Sequence, residues 1–112
     1  MSRICSSSLT HLTLILAEPR IARFDFPNEV RLDEKISVTC STATGSVPLS
    51  FEWLKNGLGI EKNDKVTIVT VEEASILTLK QLRREDAANY TCIVRNKDGM
   101  DAFTASLKMK SK

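Results

Sequence analysis

At 112 residues the chain has room for one domain, and a hydrophobic content of 42% is enough to fill one core. Sixteen basic and 14 acidic residues are interspersed to a net charge of +2. Lys80, Arg83 and Arg84 form the one tight basic group, and Glu85 and Asp86 follow it at once, so no basic stripe for nucleic acid is present. No apolar run approaches the roughly 20 residues that span a bilayer, so no membrane insertion by this segment is expected.

Three cysteines, Cys5, Cys40 and Cys92, allow at most one internal bridge and leave one thiol over. None has a C-x-x-C partner, and the single histidine, His11, has no ligand companion nearby, so neither a metal nor a cofactor is expected. Ser/His/Asp chemistry needs a histidine held within the fold, and the acidic pairs Glu72-Glu73 and Glu85-Asp86 read as solvated loop charges. The chain is therefore not expected to be an enzyme.

In chain order, residues 1–18 differ from the rest. A cationic start, the apolar stretch Leu12–Ala17 and a small residue at its end resemble a short signal peptide cleaved after Ala17. His11 and Thr13 interrupt it, and a leader foreign to the domain fits equally well. The domain is expected over residues 19–110.

From Pro19 onward, short strands alternate with turn signals and no helical period is sustained. Ile21 to Phe26 is an extended run stopped by Pro27-Asn28. Ile36 to Cys40 alternates cleanly, with Ile36, Val38 and Cys40 on one side. Phe51 to Lys55 follows with Phe51 and Trp53 inward, and Asn56-Gly57 suits a tight hairpin with φ > 0. Val66 to Val71 is a β-branched run, and Ser75 to Leu79 sets Leu77 and Leu79 on one face. Gln81 to Ala87 is the one helical turn expected. Ala88 to Asn96 places Tyr90, Cys92 and Val94 inward, and after Lys97-Asp98-Gly99 a last strand turns in Phe103, Ala105, Leu107 and Met109. Seven or eight antiparallel strands predict an all-β sandwich or small barrel.

Four residues narrow this choice. Trp53 stands 13 positions after Cys40, and Tyr90 stands two before Cys92. This is the Cys…Trp…Cys pattern with the tyrosine corner of immunoglobulin domains. A Cys40–Cys92 bridge would close a long loop and contribute roughly 4 kcal/mol in the chain-entropy account. The alternative is a pair of buried free thiols, as in intracellular muscle immunoglobulin domains.

From Pro19 to Met109 the chain resembles the I-set class of immunoglobulin domains, an antiparallel two-sheet Greek-key sandwich. The resemblance rests on Val38-x-Cys40, Trp53-Leu54-Lys55-Asn56-Gly57, Leu77-x-Leu79-x-x-Leu82, Asp86-x-Ala88-x-Tyr90-x-Cys92 and Asn96-Lys97-Asp98-Gly99. Within that class, Pro19-Arg20-Ile21-x-x-Phe24-x-Phe26 and Gly45-Ser46-Val47-Pro48-Leu49-x-Phe51-x-Trp53 are similar to arthropod Dscam, the Down syndrome cell adhesion molecule family. That resemblance implies the ectodomain of a cell-surface receptor, homophilic binding between like domains, and no catalytic role. It also allows a pathogen-binding immune isoform. A structural spacer in a tandem array, extracellular or sarcomeric, is the rival reading.

Site residues follow from the I-set frame. Lys65 stands where these domains place a basic residue to pair with Asp86. Asn89-Tyr90-Thr91 is an N-glycosylation sequon, and Asn89 points outward beside inward Tyr90. On the sheet built from Lys35–Ser41, Lys65–Val71 and Ser75–Leu79, the outward set is Ser37, Thr39, Thr67, Val69, Val71, Ile76 and Thr78. Val69, Val71 and Ile76 are apolar where a solvated face is normally polar, which makes this face the candidate interface for an identical domain on another chain. Leu54 and Ile93 give the opposite sheet a competing pair.

Overall fold

A computed structural model describes residues 17–109; the Cys5, His11 and cleaved-leader expectations lie outside the described residues or, for the leader, largely so. Among the described residues eight strands are formed: β1 (Arg20–Ile21), β2 (Ile36–Thr44), β3 (Ser50–Lys55), β4 (Leu58–Gly59), β5 (Val66–Val71), β6 (Ala74–Leu79), β7 (Ala88–Asn96) and β8 (Gly99–Leu107). They make two four-stranded antiparallel sheets, in the order β1-β2-β6-β5 and β4-β3-β7-β8. The chain passes between sheets after β2, after β4 and after β6, so the fold is the immunoglobulin-like sandwich.

Local chemistry sets each element. Alternation in β2 buries Ile36, Val38 and Cys40 and exposes Ser37 and Thr39. Asn56 (φ 50°) and Gly57 (φ 86°) supply the two left-handed residues of a two-residue hairpin, pairing Lys55 with Leu58. Asn56 also anchors that hairpin to β7, donating its N–H to Asn89 O at 2.8 Å and accepting Asn89 N–H on Oδ1 at 3.0 Å.

The stretch Ile21–Phe26 behaves differently from a full strand. Only Arg20–Ile21 pairs with β2, and the register shifts between them. Beyond Ala22, whose N–H still reaches Ser41 O, the chain runs on without a ladder while Phe24 and Phe26 fill the core. The helical segment expected over Gln81–Ala87 contracts to a 3₁₀ turn at Arg84–Asp86.

The centre of the core joins the two sheets twice. Cys40 and Cys92 form the inter-sheet disulfide, with Cα atoms 6.4 Å apart and both residues fully buried. In register, Cys40 lies opposite Ser75 on its own sheet, and Cys92 lies opposite Trp53 on the other. The Trp53 indole Nε1–H donates to Ser75 Oγ across the gap at 2.9 Å, alongside the covalent bond. Ser75 Oγ also shares a 2.9 Å hydrogen bond with Thr70 Oγ1, so no polar atom of this buried serine is orphaned. Phe24 packs edge-on against Trp53 and Phe103, with centroids 5.7 and 4.9 Å away, and Leu77, Leu79 and Leu107 complete the core.

A second tie closes one end of the sandwich. Tyr90 Oη donates to Asp86 O at 2.7 Å, and Phe26 covers the ring with centroids 5.5 Å apart. The Asp86 carboxylate accepts Arg83 N–H at 2.7 Å and meets Lys65 Nζ at 2.5 Å. Lys65 precedes β5 of one sheet while Asp86 precedes β7 of the other, so this ion pair clasps the sheets at their base. Burial, and then the Asp86 charge, hold the Tyr90 phenol well above the usual tyrosine range.

Two outcomes follow from these ties. Ser75→Ala leaves the Trp53 N–H buried without its partner, and chemical denaturation is expected to show a loss of about 1–3 kcal/mol. For Tyr90, the only tyrosine in the chain, the neutral form is favoured by folding. Its contribution is complete below the unfolded pKa of about 10 and falls as pH rises above it, because only the unfolded phenol then ionises. Tyr90→Phe is expected to cost about 0.5–1.5 kcal/mol at neutral pH. The same variant should lose stability less steeply than the parent above pH ~10 in a denaturation series, and an identical slope would contradict this assignment.

Candidate interaction surface

The outward face of the β1-β2-β6-β5 sheet brings its apolar residues together by register. Val69 lies opposite Ile76, Thr67 opposite Thr78, and Val71 opposite Ala74. On the other flank Thr39 lies opposite Ile76 and Ser37 opposite Thr78, whose hydroxyls share a 2.7 Å hydrogen bond. Thr67, Val69, Val71, Ile76 and Thr78 therefore form one contiguous patch. Ile76 and Thr78, on the inner strand, are half-buried by their neighbours. Val69 and Val71 stand at the sheet margin, 54% and 57% exposed.

Exposed apolar side chains elsewhere among the described residues are scattered: Leu58, Met100, Leu32 and Val47 sit in separate turns and strand ends. Single exposed apolar residues are ordinary on a protein surface, whereas two on successive outward positions of one strand are a concentrated cost. Leu54 and Ile93, the competing pair on the opposite sheet, are both half-buried. Ile93 lies in register between Glu52 and Ala102, and Glu52 is ion-paired to Arg95 at 3.2 Å. Exposure thus separates the two faces, which alternation alone leaves level.

Asn89 is exposed on β7, and its Oδ1 accepts a hydrogen bond from Ser106 Oγ at 2.5 Å. It belongs to the sheet opposite Val69, so a glycan there would leave the apolar patch uncovered. The remaining site residues, Cys40, Cys92, Trp53, Leu79, Tyr90, Lys65 and Asp86, lie in the core and the basal clasp, all buried except the half-buried Lys65. Among the described residues, no three His, Cys, Asp or Glu side chains converge as metal ligands.

Sequence reasoning passed over three features. Ser75 offered only its place in an alternating strand. Ala17 and Glu18, grouped with the leader on sequence, are tied to the domain: Ala17 N–H donates to Asp98 Oδ2 (3.2 Å), and Ala17 O accepts from Asn96 Nδ2 (2.7 Å) and Ser46 N–H (3.1 Å). Gly45, at φ 139°, passes so close to Pro19 that a Cβ would sit 2.9 Å from its Cα. The Asn96-Lys97-Asp98-Gly99 turn was a visible signal for the Ala17 contact, but its partner was not.

The sequence model of the immunoglobulin I-set domain matches residues 19–109. Rat cell adhesion molecule DSCAM is 30% identical over 94 residues, 84% of this chain and 5% of that protein. Mouse hemicentin-1 is 39% identical over 82 residues, 72% of this chain and 1% of its own length. Chicken smooth-muscle myosin light chain kinase is 28% identical over 94 residues, covering 84% of this chain and 5% of the kinase. The chain thus spans about one-twentieth or less of these relatives. Among solved structures, the Dscam1 Ig7 domain, isoform 5, superposes with a TM-score of 0.80 at 28% identity, covering 85% of this chain and 99% of that one. The titin I-band fragment I67–I69 superposes at 0.72 with 27% identity, over 83% of this chain and 33% of the fragment. The chain belongs to the immunoglobulin I-set family.

Proposed function

We propose that this domain is an extracellular recognition module that binds a second copy of itself through the patch at Thr67, Val69, Val71, Ile76 and Thr78. The observation that carries this reading is the exposure of Val69 and Val71 together at the margin of one sheet. Apolar surface contributes roughly 25 cal/mol per Å² when removed from water, so a matching apolar surface gains by covering it. A two-fold contact needs only this one patch, used twice. The disulfide supports an oxidising compartment, where such bridges persist. The similarity to cell adhesion molecule DSCAM supports adhesion, and Asn89 in its sequon supports a glycosylated ectodomain.

A structural spacer is the second reading, favoured by the anchoring of Ala17 at the Asn96–Asp98 turn and by the likeness to titin and to myosin light chain kinase. Fixing the direction in which the chain enters a domain is what a load-bearing or length-setting array requires. The two readings separate in solution. Self-recognition predicts that the oxidised protein sediments as a monomer–dimer mixture shifting to dimer with concentration. Val69→Lys is expected to weaken that association at least tenfold, since it places a charge in the contact. A monomer throughout the concentration series would leave the spacer, and an unchanged Val69→Lys dimer would remove the patch.

A further inference from the structure

The open edge of β5 has a property that the outward patch alone does not. Of the other outer strands, β1 and β4 are two residues long. β8 is nine residues, but Asp101 on it accepts Ile21 N–H at 2.8 Å, and Val30 bridges to Met109 just beyond its end. β5 is six residues, Val-Thr-Ile-Val-Thr-Val, with no charge, proline or glycine. Within the strand it therefore has neither the charge nor the proline that commonly keeps an edge from pairing.

Its hydrogen-bonding direction can be read off its ends. Lys80 N–H donates to Lys65 O, so the Lys65 carbonyl, and by alternation the backbone groups of Thr67, Val69 and Val71, turn toward β6, while Lys65 N–H goes to Asn63 Oδ1 at 2.7 Å. Val66 faces the other way and is capped there by Asn63, which accepts its N–H on Oδ1 at 2.8 Å and donates to its O at 2.9 Å. Ile68 and Thr70 share the direction of Val66 and have no neighbouring strand on that side.

We propose that two copies join by pairing their β5 edges antiparallel about a two-fold axis at Val69, continuing the four-stranded sheet into one of eight. With Val69 opposite Val69 of the second copy, Ile68 falls opposite Thr70, and the two residues exchange N–H···O bonds on each side of the axis. Four open donors and acceptors per copy are satisfied by the same four in the other. Even numerical register keeps both outward faces on one side, so Ile76 and Val69 of each copy meet in one continuous apolar row. This inference rests on the self-recognition reading and names its geometry.

The test uses amide hydrogen exchange by NMR across a concentration series, with sedimentation of two variants. Edge pairing predicts that the Ile68 and Thr70 amides slow at least tenfold as the dimer forms. Thr70→Pro, which removes an outward N–H that β6 does not use, is expected to abolish the dimer. Leu54→Lys, on the outward face of the opposite sheet, should dimerise within about threefold of the parent. A dimer kept by Thr70→Pro, with Ile68 and Thr70 exchange unchanged, overturns edge pairing and leaves face-to-face recognition standing. A monomer at every concentration overturns both.

Discussion

A covalent bond and a hydrogen bond run side by side between the two sheets, and the geometry of everything else is referred to them. Cys40–Cys92 fixes the spacing, while Trp53 Nε1–H to Ser75 Oγ fixes how the sheets are offset along it. Because Trp53 is the register neighbour of Cys92 and Ser75 that of Cys40, neither link can shift without the other. Thr70 extends the chain of contacts through Ser75 to β5, so the strand bearing the exposed valines is held to the buried centre. Polar links of this kind in an apolar core are strong only when complete, and this one leaves no side-chain donor or acceptor stranded.

The basal clasp acts on the same strand from its other end. Lys65 leads into β5 and is paired to Asp86, which in turn is fixed by Arg83 and lies beside the Tyr90 hydroxyl contact. β5 is thereby a rigid margin: its first residue is capped by Asn63, its middle is tied through Thr70, and its sheet is bonded to the core. A rigid edge loses little conformational entropy on pairing, which favours association through it. Adhesion by such a domain would be a consequence of ordinary sheet chemistry left incomplete at one side.

Much of this was legible in the residues. The inward series Ile36–Val38–Cys40 and Tyr90–Cys92–Val94, the turn at Asn56-Gly57, and the spacing of Trp53 and Tyr90 each follow a local rule, and the fold follows from their conjunction. The outward patch was legible too, since alternation assigns Val69, Val71 and Ile76 to one face. What was hidden depends on partners distant in sequence. Ser75 receives its role from Trp53, 22 positions away, and Asp98 receives Ala17 from 81 positions away. The shortened pairing at Arg20–Ile21 was hidden as well, because an extended run looks the same whether or not a neighbouring strand accompanies it. Which of two outward faces is truly exposed likewise required neighbours, since Ile93 and Val69 are equivalent by alternation and differ only in cover.

Self-recognition across β5 is tested most directly by chemistry at its centre. In a Cys5→Ser background that retains Cys40 and Cys92, Val69→Cys puts a thiol where the two copies approach most closely. Directly opposed residues at a non-hydrogen-bonded position have Cα atoms about 4.5 Å apart, within the roughly 4.4–6.8 Å that a disulfide tolerates. Mild oxidation is predicted to yield a disulfide-linked dimer of Val69→Cys, while Thr39→Cys, outward on the same sheet but two strands away, stays monomeric on a non-reducing gel. Equal cross-linking of the two variants, or none of either, would contradict the account.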